Sequence, residues 1–269
     1  MQNPISVFTK PWKCEIPELA AKMVSLGVNG IELPVRPGYP VNPDNALEKL
    51  PEAAAELKKY GLTIYSVAAP VEERIIEACG AAGVRILRTM IRIDKKLGYY
   101  ASVEKEKELY RSLLPLLERH KVTIGVQNHC DYFVGSALGL MHAIGEFSPE
   151  QVGAVLDPAH CSLVGEPEAL AVEICWSHLV LVNLKNAFRM RLNGPEAAEP
   201  IWRTWWTTGR HGFTSWRAVA AALCERGYEG SICFCAEYSN PTGGDLTEDA
   251  VIPPLQDDLA YARAIWPVK

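Results

Sequence analysis

Residues 83–88 read Gly83-Val84-Arg85-Ile86-Leu87-Arg88, and the same grammar recurs along the chain. A helical stretch ends in glycine, one apolar residue follows, and a short β-rich run begins. The pattern returns at Gly27-Val28 before Gly30-Ile31-Glu32-Leu33, at Gly61-Leu62 before Thr63–Val67, and at Gly227-Tyr228 before Ser231–Ala236. Glycine supplies the left-handed residue that closes a helix. Amphipathic helices that alternate with short apolar strands imply βα units and a parallel sheet.

Working outward from these joints, the pattern predicts strands over 5–9, 30–34, 62–68, 84–90, 122–128, 152–157, 178–184 and 230–237. It predicts helices over 16–26, 44–60, 71–82, 102–120, 136–147, 167–176, 214–226 and 254–265, with caps at Asp44, Ser102 and Thr214. Eight βα pairs without a linker or a break in composition give one (β/α)8 barrel domain spanning residues 1–269. The length of 269 residues is close to the ~250 typical of that fold. A doubly wound open sheet would carry G-x-G-x-x-G after an early strand, and the sequence has none.

Composition narrows the partners. Hydrophobic residues make up 48% and charged residues 22%, which is ordinary for a globular protein. A net charge of −5 argues against a nucleic-acid partner, which calls for a basic face. No apolar run approaches the ~20 residues of a membrane span, and Met1–Thr9 lacks a basic, then apolar, leader, so a cytoplasmic protein is expected. The eight cysteines form no C-x-x-C pair and read as reduced, mostly buried thiols.

In a barrel of this kind the chemistry sits at the C-terminal ends of the strands. The polar residues there are Lys10 after strand one, Glu32 and Arg36 at strand two, and Arg88 and Arg92 at strand four. Strand five ends Gln127-Asn128-His129, strand six Asp157-Pro158-Ala159-His160, strand seven Asn183-Leu184-Lys185-Asn186, and strand eight Glu237-Tyr238. Side chains alternate along a strand. If Glu237 points into the mouth, Cys235 and Cys233 point inward beneath it, while Phe234 and Ala236 face the helices. By the same parity Asn183 and Lys185 point inward together.

At these residues the chain resembles the xylose isomerase-like TIM-barrel superfamily of sugar phosphate isomerases and epimerases. The likeness runs from Gly30-Ile31-Glu32-Leu33 to Glu237. Asp157-Pro-Ala-His160 looks like the family's D-x-x-H, and Asn183-Leu-Lys185-Asn186 looks like its H-x-K-D. Gly209-Arg-His-Gly212-Phe213 resembles its loop before helix seven. The resemblance implies a metal held at Gln127, Asp157, Asn183 and Glu237. The family has Glu at the first of these positions and His at the third, so the set here is all-oxygen. Such a set suits Mg²⁺ or Mn²⁺, and it binds weakly.

The resemblance further implies catalytic roles for Glu237 as base, Lys185 as oxyanion partner, and His160. It implies substrate contacts for Arg189, Arg88, His129, His211, Lys10 and Glu32. The expected function is metal-assisted proton transfer by an isomerase or epimerase of a sugar, sugar phosphate or sugar acid. The alternatives are a one-base lyase or dehydratase on a polyol-type substrate, and a carbohydrate-binding barrel without turnover. A homodimer is left open. Trp202, Trp205, Trp206 and Trp216 crowd the loop after strand seven as a lid, a sugar platform or a subunit contact, and Gly243-Gly244 is a weak phosphate-site signal.

Overall fold

A computed structural model describes residues 3–266. Ten strands and nine α-helices alternate as β1 (Ile5–Phe8), α1 (Ile16–Ser25), β2 (Gly30–Pro34), α2 (Ala46–Lys59), β3 (Thr63–Ala68), α3 (Glu73–Ala82), β4 (Ile86–Thr89), α4 (Gly98–His120), β5 (Thr123–Gln127), α5 (Ala137–Ile144), β6 (Val152–Leu156), α6 (Pro158–Leu163), α7 (Glu168–Cys175), β7 (Leu179–Leu184), β8 (Asn186–Arg191), β9 (Trp202–Thr207), α8 (Trp216–Glu225), β10 (Ile232–Phe234) and α9 (Ile252–Ile265). Eight of the strands close a parallel barrel in the order β1-β10-β7-β6-β5-β4-β3-β2, and β8 and β9 form a separate antiparallel hairpin. β1 closes the ring, with Val7 beside Ile31 on one side and Phe234 on the other. The fold is the expected (β/α)8 barrel.

The glycine joints explain its regularity. Gly27, Gly61, Gly83 and Gly227 all hold positive φ, between 64° and 73°. A side chain resists that conformation, so each glycine turns the chain out of its helix and into the next strand. Strand alternation then sorts the side chains. On β7, Leu181 points into the barrel, Val182 outward, Asn183 inward and Leu184 outward. The outward set joins helix residues such as Leu50, Ile75, Tyr110 and Trp216 in a continuous apolar shell. Inside the ring only Phe8, Ala68, Val155, Leu181 and Cys233 form an apolar plug, flanked by Ile86 and Val180. The parity expected of strand eight holds, because Cys233 is in the plug while Phe234 and Ala236 are in the shell.

Three expected caps differ from the sequence reading. Ser102 lies inside α4, where its Oγ donates to the Gly98 carbonyl. Asn45 rather than Asp44 precedes α2, and Ser215 rather than Thr214 caps α8 by accepting from the Ala218 N–H. The extra helix α6 was not foreseen, although Asp157-Pro158 is a cap followed by a first-turn proline. Asp157 Oδ1 accepts from the Ala159 N–H at 3.1 Å. All eight cysteines are free thiols, and six of them are buried. No described helix is long and apolar enough to cross a membrane.

Candidate active site at the barrel mouth

The inward side chains above the plug are polar, and they form two tiers. The lower tier is closed on itself. Glu32 is fully buried and accepts from Ser66 Oγ at 2.8 Å and from Arg88 Nε at 2.7 Å. Arg88 Nη1 donates to Gln127 Oε1, and Gln127 Nε2 donates to Asp157 Oδ2 at 2.9 Å. The Arg88 guanidinium also lies over the Phe8 ring, 4.6 Å from its centroid. Burial opposes the charge on Arg88, and the Glu32 carboxylate more than offsets it, so the guanidinium is held charged.

The upper tier is built on Lys185. Its ammonium is buried, 2.8 Å from Glu237 Oε2 and 3.6 Å from Asp157 Oδ2, and it sits over the Trp206 ring at 4.3 Å. Trp216 steadies this backbone by donating from Nε1 to the Lys185 carbonyl at 3.2 Å. Lys10 reaches across from the end of β1 and takes Glu237 Oε1 at 2.6 Å. Burial would raise the Glu237 carboxyl, but the two ammoniums pull it well below the usual carboxylate range. Burial raises Asp157 to about 6 against the opposing pull of Lys185.

The histidines flank this centre. His129 and His160 face each other with ring centroids 4.0 Å apart. Burial, then the nearby Lys185 charge, lowers the pKa of both, so both rings are neutral at physiological pH. His160 Nδ1 accepts from the Cys130 N–H at 3.2 Å, and its buried Nε2 has no partner among the described residues. His129 Nδ1 pairs with the Cys130 carbonyl at 2.9 Å, which fixes the proton there and leaves Nε2 with the lone pair.

A cavity of about 120 Å³ opens over this layer. It is lined by Lys10, Arg88, Gln127, His129, Asn183, Lys185 and Glu237 from the expected set, and also by Phe8, Arg36, Met90 and Cys235. Asp157, His160 and Glu32 are buried behind its wall. Arg189 is exposed on β8, and His211 is exposed and paired with Thr208, so neither lines the cavity. Gly243 and Gly244 form a turn outside it. Phe8 and Met90 were missed because apolar strand-end residues carry no chemical signal in sequence.

Asn186 shows why the family's aspartate can be an amide here. Its Nδ2 donates to the Gly209 and Thr214 carbonyls, and its Oδ1 accepts from the Thr214 and Ala187 N–H groups. A carboxylate could make only the accepting half. Gly212 passes so close that a Cβ would lie 2.0 Å from Asn186 Oδ1, so that glycine is required. The loop and Asn186 together fix the start of the β8–β9 hairpin, which carries Trp206 against Lys185.

Residues 20–261 match the family profile described as xylose isomerase-like TIM barrel. The chain belongs to that family. Among solved structures it is similar to D-psicose 3-epimerase from Clostridium cellulolyticum H10, with 15% identity, TM-score 0.71, and 98% of this chain and 100% of that one covered. It is also similar to 3-keto-D-glucoside 4-epimerase from E. coli, at 15% identity and TM-score 0.71 over 97% and 99% of the two chains. The probable 3-DHS dehydratase from Bacillus anthracis matches at 13% identity and TM-score 0.71 over 97% and 98%. At such identities the likeness establishes the fold and not the activity. No curated protein sequence matches significantly.

Further structures of this fold hold zinc or magnesium, which poses the question of a metal here. The four positions expected to hold it do not fit a divalent ion as they are arranged. The space between the two carboxylates is taken by the Lys185 ammonium, Glu237 bears a second ammonium, and Gln127 turns its N–H rather than its oxygen toward Asp157. In this arrangement the Lys185 ammonium takes the place that the expected all-oxygen set gives to a divalent ion. A different group, His129, Cys130 and His160, brings possible ligand atoms within 4.8 Å of one another, and its nitrogen and sulfur donors suit a softer ion.

Proposed function

We propose that this protein is an isomerase or epimerase of a small carbohydrate that moves a proton with its own side chains. The observation that carries the reading is the buried Lys185 ammonium on the cavity wall, at the place where a carbonyl oxygen would gain negative charge. The neutral His129 replaces Glu237 as the base, since two lysines suppress the basicity of Glu237.

In the proposed step, His129 Nε2 takes the proton from the carbon next to the substrate carbonyl. The C–H electron pair forms the enediolate, and its oxygen is met by Lys185 Nζ–H and by the Asn183 amide. Neither polar atom of Asn183 has a hydrogen-bond partner among the described residues, although the residue is fully buried. Return of the proton to the neighbouring carbon, with that carbon's hydroxyl proton passing to the first oxygen, gives isomerisation; a proton delivered by water to the opposite face of the first carbon, with His129 releasing its own proton to solvent, gives epimerisation. Preorganised donors at a developing oxyanion are worth about 10²–10³ in rate each.

The test is deuterium wash-in from D₂O into candidate ketoses and sugar acids, with EDTA present. Wild type should exchange, while Lys185→Met and His129→Gln should lose exchange by about 10²–10³-fold. A one-base lyase is the second reading, favoured because His129 is the one imidazole among the residues that line the cavity. It would release water in step with proton loss. Binding without exchange or water loss would make the barrel a carbohydrate receptor and end the catalytic reading.

A further inference from the structure

The cavity wall has one cation more than its carboxylates can pair. Arg88 is matched by Glu32, and Lys10 and Lys185 are matched by Glu237 with Asp157. Arg36, just beyond the end of β2, has no carboxylate or carbonyl partner for its side chain among the described residues. Its guanidinium rests on the Phe8 ring, 5.6 Å from the centroid, on the same ring that carries Arg88. An arginine stays charged whatever its surroundings. Arg36 is half-buried, so its unpaired charge is partly desolvated, and the neighbouring Arg88 guanidinium repels it, so the free structure holds a charge that a ligand would neutralise. Burial and the nearby Arg88 both disfavour the charged form of Arg36, which is the same statement in terms of proton affinity.

We propose that the substrate carries a carboxylate, and that Arg36 is the residue that receives it. This rests on the catalytic reading above and narrows it to a hydroxy or keto sugar acid. The single excess charge matches a carboxylate rather than a phosphate dianion. Asn183 supports a polyfunctional ligand, because its buried donor and acceptor are both open on the same wall. The space is also suitable. At about 30 Å³ per water, 120 Å³ holds about four waters, enough for a carboxylate and the first carbons of a chain. A second cavity of about 340 Å³ shares Lys10 and Glu237 with the first as common wall. There Asp245 and Glu248 join Glu237 against Lys10 and Lys13, so that side repels an anion and suits hydroxyls. The acid end therefore lies at Arg36 and the polyol end on the side of Asp245 and Glu248.

Calorimetric titration with D-erythronate and D-gluconate, against erythritol and D-glucitol, tests this on wild type, Arg36→Lys and Arg36→Gln. The acids should bind wild type at least about 10-fold more tightly than the alditols. Arg36→Gln should lose about 10–100-fold for the acids and nothing for the alditols, and Arg36→Lys should keep part of the preference. Circular dichroism verifies that both variants fold, and Arg36→Lys carries the test if Arg36→Gln does not.

The proposal is overturned if acids and alditols bind alike, if no acid binds, or if the acid preference survives Arg36→Gln. Stronger competition from inorganic phosphate than from the acids also overturns it, in favour of a phosphorylated sugar. Deuterium wash-in separates the two readings. A keto acid that binds through Arg36 without exchange or water loss sinks the catalytic reading and leaves the carboxylate site. A neutral ketose exchanged equally by wild type and Arg36→Gln does the reverse.

Discussion

The lower tier of the barrel lumen and the rim above it are built from the same residue types and end in opposite states. Below, Glu32, Ser66, Arg88 and Gln127 bond to one another until the lower cluster is closed. Above, Asn183 has a donor and an acceptor open, Arg36 has a charge open, and His129 keeps a bare nitrogen. Buried polar groups are normally satisfied. A tier that is complete without a ligand is therefore architecture, and a tier that is left incomplete is arranged for something that arrives. Asp157 links the two, since it accepts from Gln127 below and lies 3.6 Å from the Lys185 ammonium above.

The largest expected effect tests the closed tier. Arg88→Met leaves Glu32 buried at 0% exposure with Ser66 Oγ as its remaining close hydrogen-bond donor. Breaking a buried pair from one side costs about 3–5 kcal/mol. Arg88→Met paired with Glu32→Leu should recover most of that loss, because the stranded charge is gone. Urea denaturation of the three proteins measures both effects. If Arg88→Met costs under about 1 kcal/mol, the lower tier is not the structural lock described here.

The open tier is read through pH. His129 must be neutral to act as base, and burial with the Lys185 charge keeps it neutral to below its ordinary range near 6.5. Asp157, raised to about 6, must be ionised to hold Lys185 in place. Turnover should therefore rise from acid to a plateau near pH 7, with an acid limb at about 6. His129→Gln should lower the plateau by about 10²–10³ and leave the remaining limb to Asp157. A profile still rising above pH 8 would exclude both groups as the controlling ones.

Much of the barrel was legible in the sequence, and the residues show why. A glycine that must hold positive φ and an apolar run of strand length are local facts, so Gly27, Gly61, Gly83 and Gly227 announced four βα joints directly. Parity along β7 and near β10 is equally local, and it placed Asn183, Lys185 and Glu237 at the mouth. Partner choice is not local. Lys10 meets Glu237 across 227 positions of sequence, and Lys185 meets it across 52. The ion pairing that turns a presumed metal set into an ammonium-centred one depends on side-chain reach over that closure. Arg189 fell outside the cavity because it is exposed on β8, and it is Trp206 on the returning strand β9 that the hairpin places against Lys185.

A smaller pH effect sits outside the mouth. Asp258 is buried, accepts from the Gly209 N–H at 2.6 Å and from Tyr238 Oη at 2.8 Å, and is pushed by burial up to about 7. A folded-state value above the unfolded one near 4 means that protonation favours the fold. This contribution is full below pH 4 and is lost as pH rises through 7. Asp258→Asn removes the charge and can keep the Gly209 bond, so melting temperature should fall less from pH 5 to 8 than in wild type. Equal slopes would place the titration elsewhere.

The smallest effect expected is the response to divalent cations, and it bears on the centre of the upper tier. A Mn²⁺ between Asp157 and Glu237 must displace Lys185 or stand beside it, with Lys10 also close to Glu237. Two like unit charges at 4 Å cost about 4 kcal/mol at an effective dielectric constant of 20, and twice that for a dication. Two carboxylates already neutralised do not repay this. With a dissociation constant of millimolar or weaker, 1 mM manganese stabilises the fold by at most about 0.4 kcal/mol. That is a rise of about 1–2 °C in melting temperature for a domain of this size. Lys185→Met removes the competing charge and should respond more strongly. Zinc is the contrasting probe. A zinc-induced rise that Cys130→Ser abolishes would put the ion on His129, Cys130 and His160, away from the carboxylates. A rise of 5 °C or more in wild type with manganese alone would show that the ammonium yields to a metal, and the upper tier would then be a metal site in waiting.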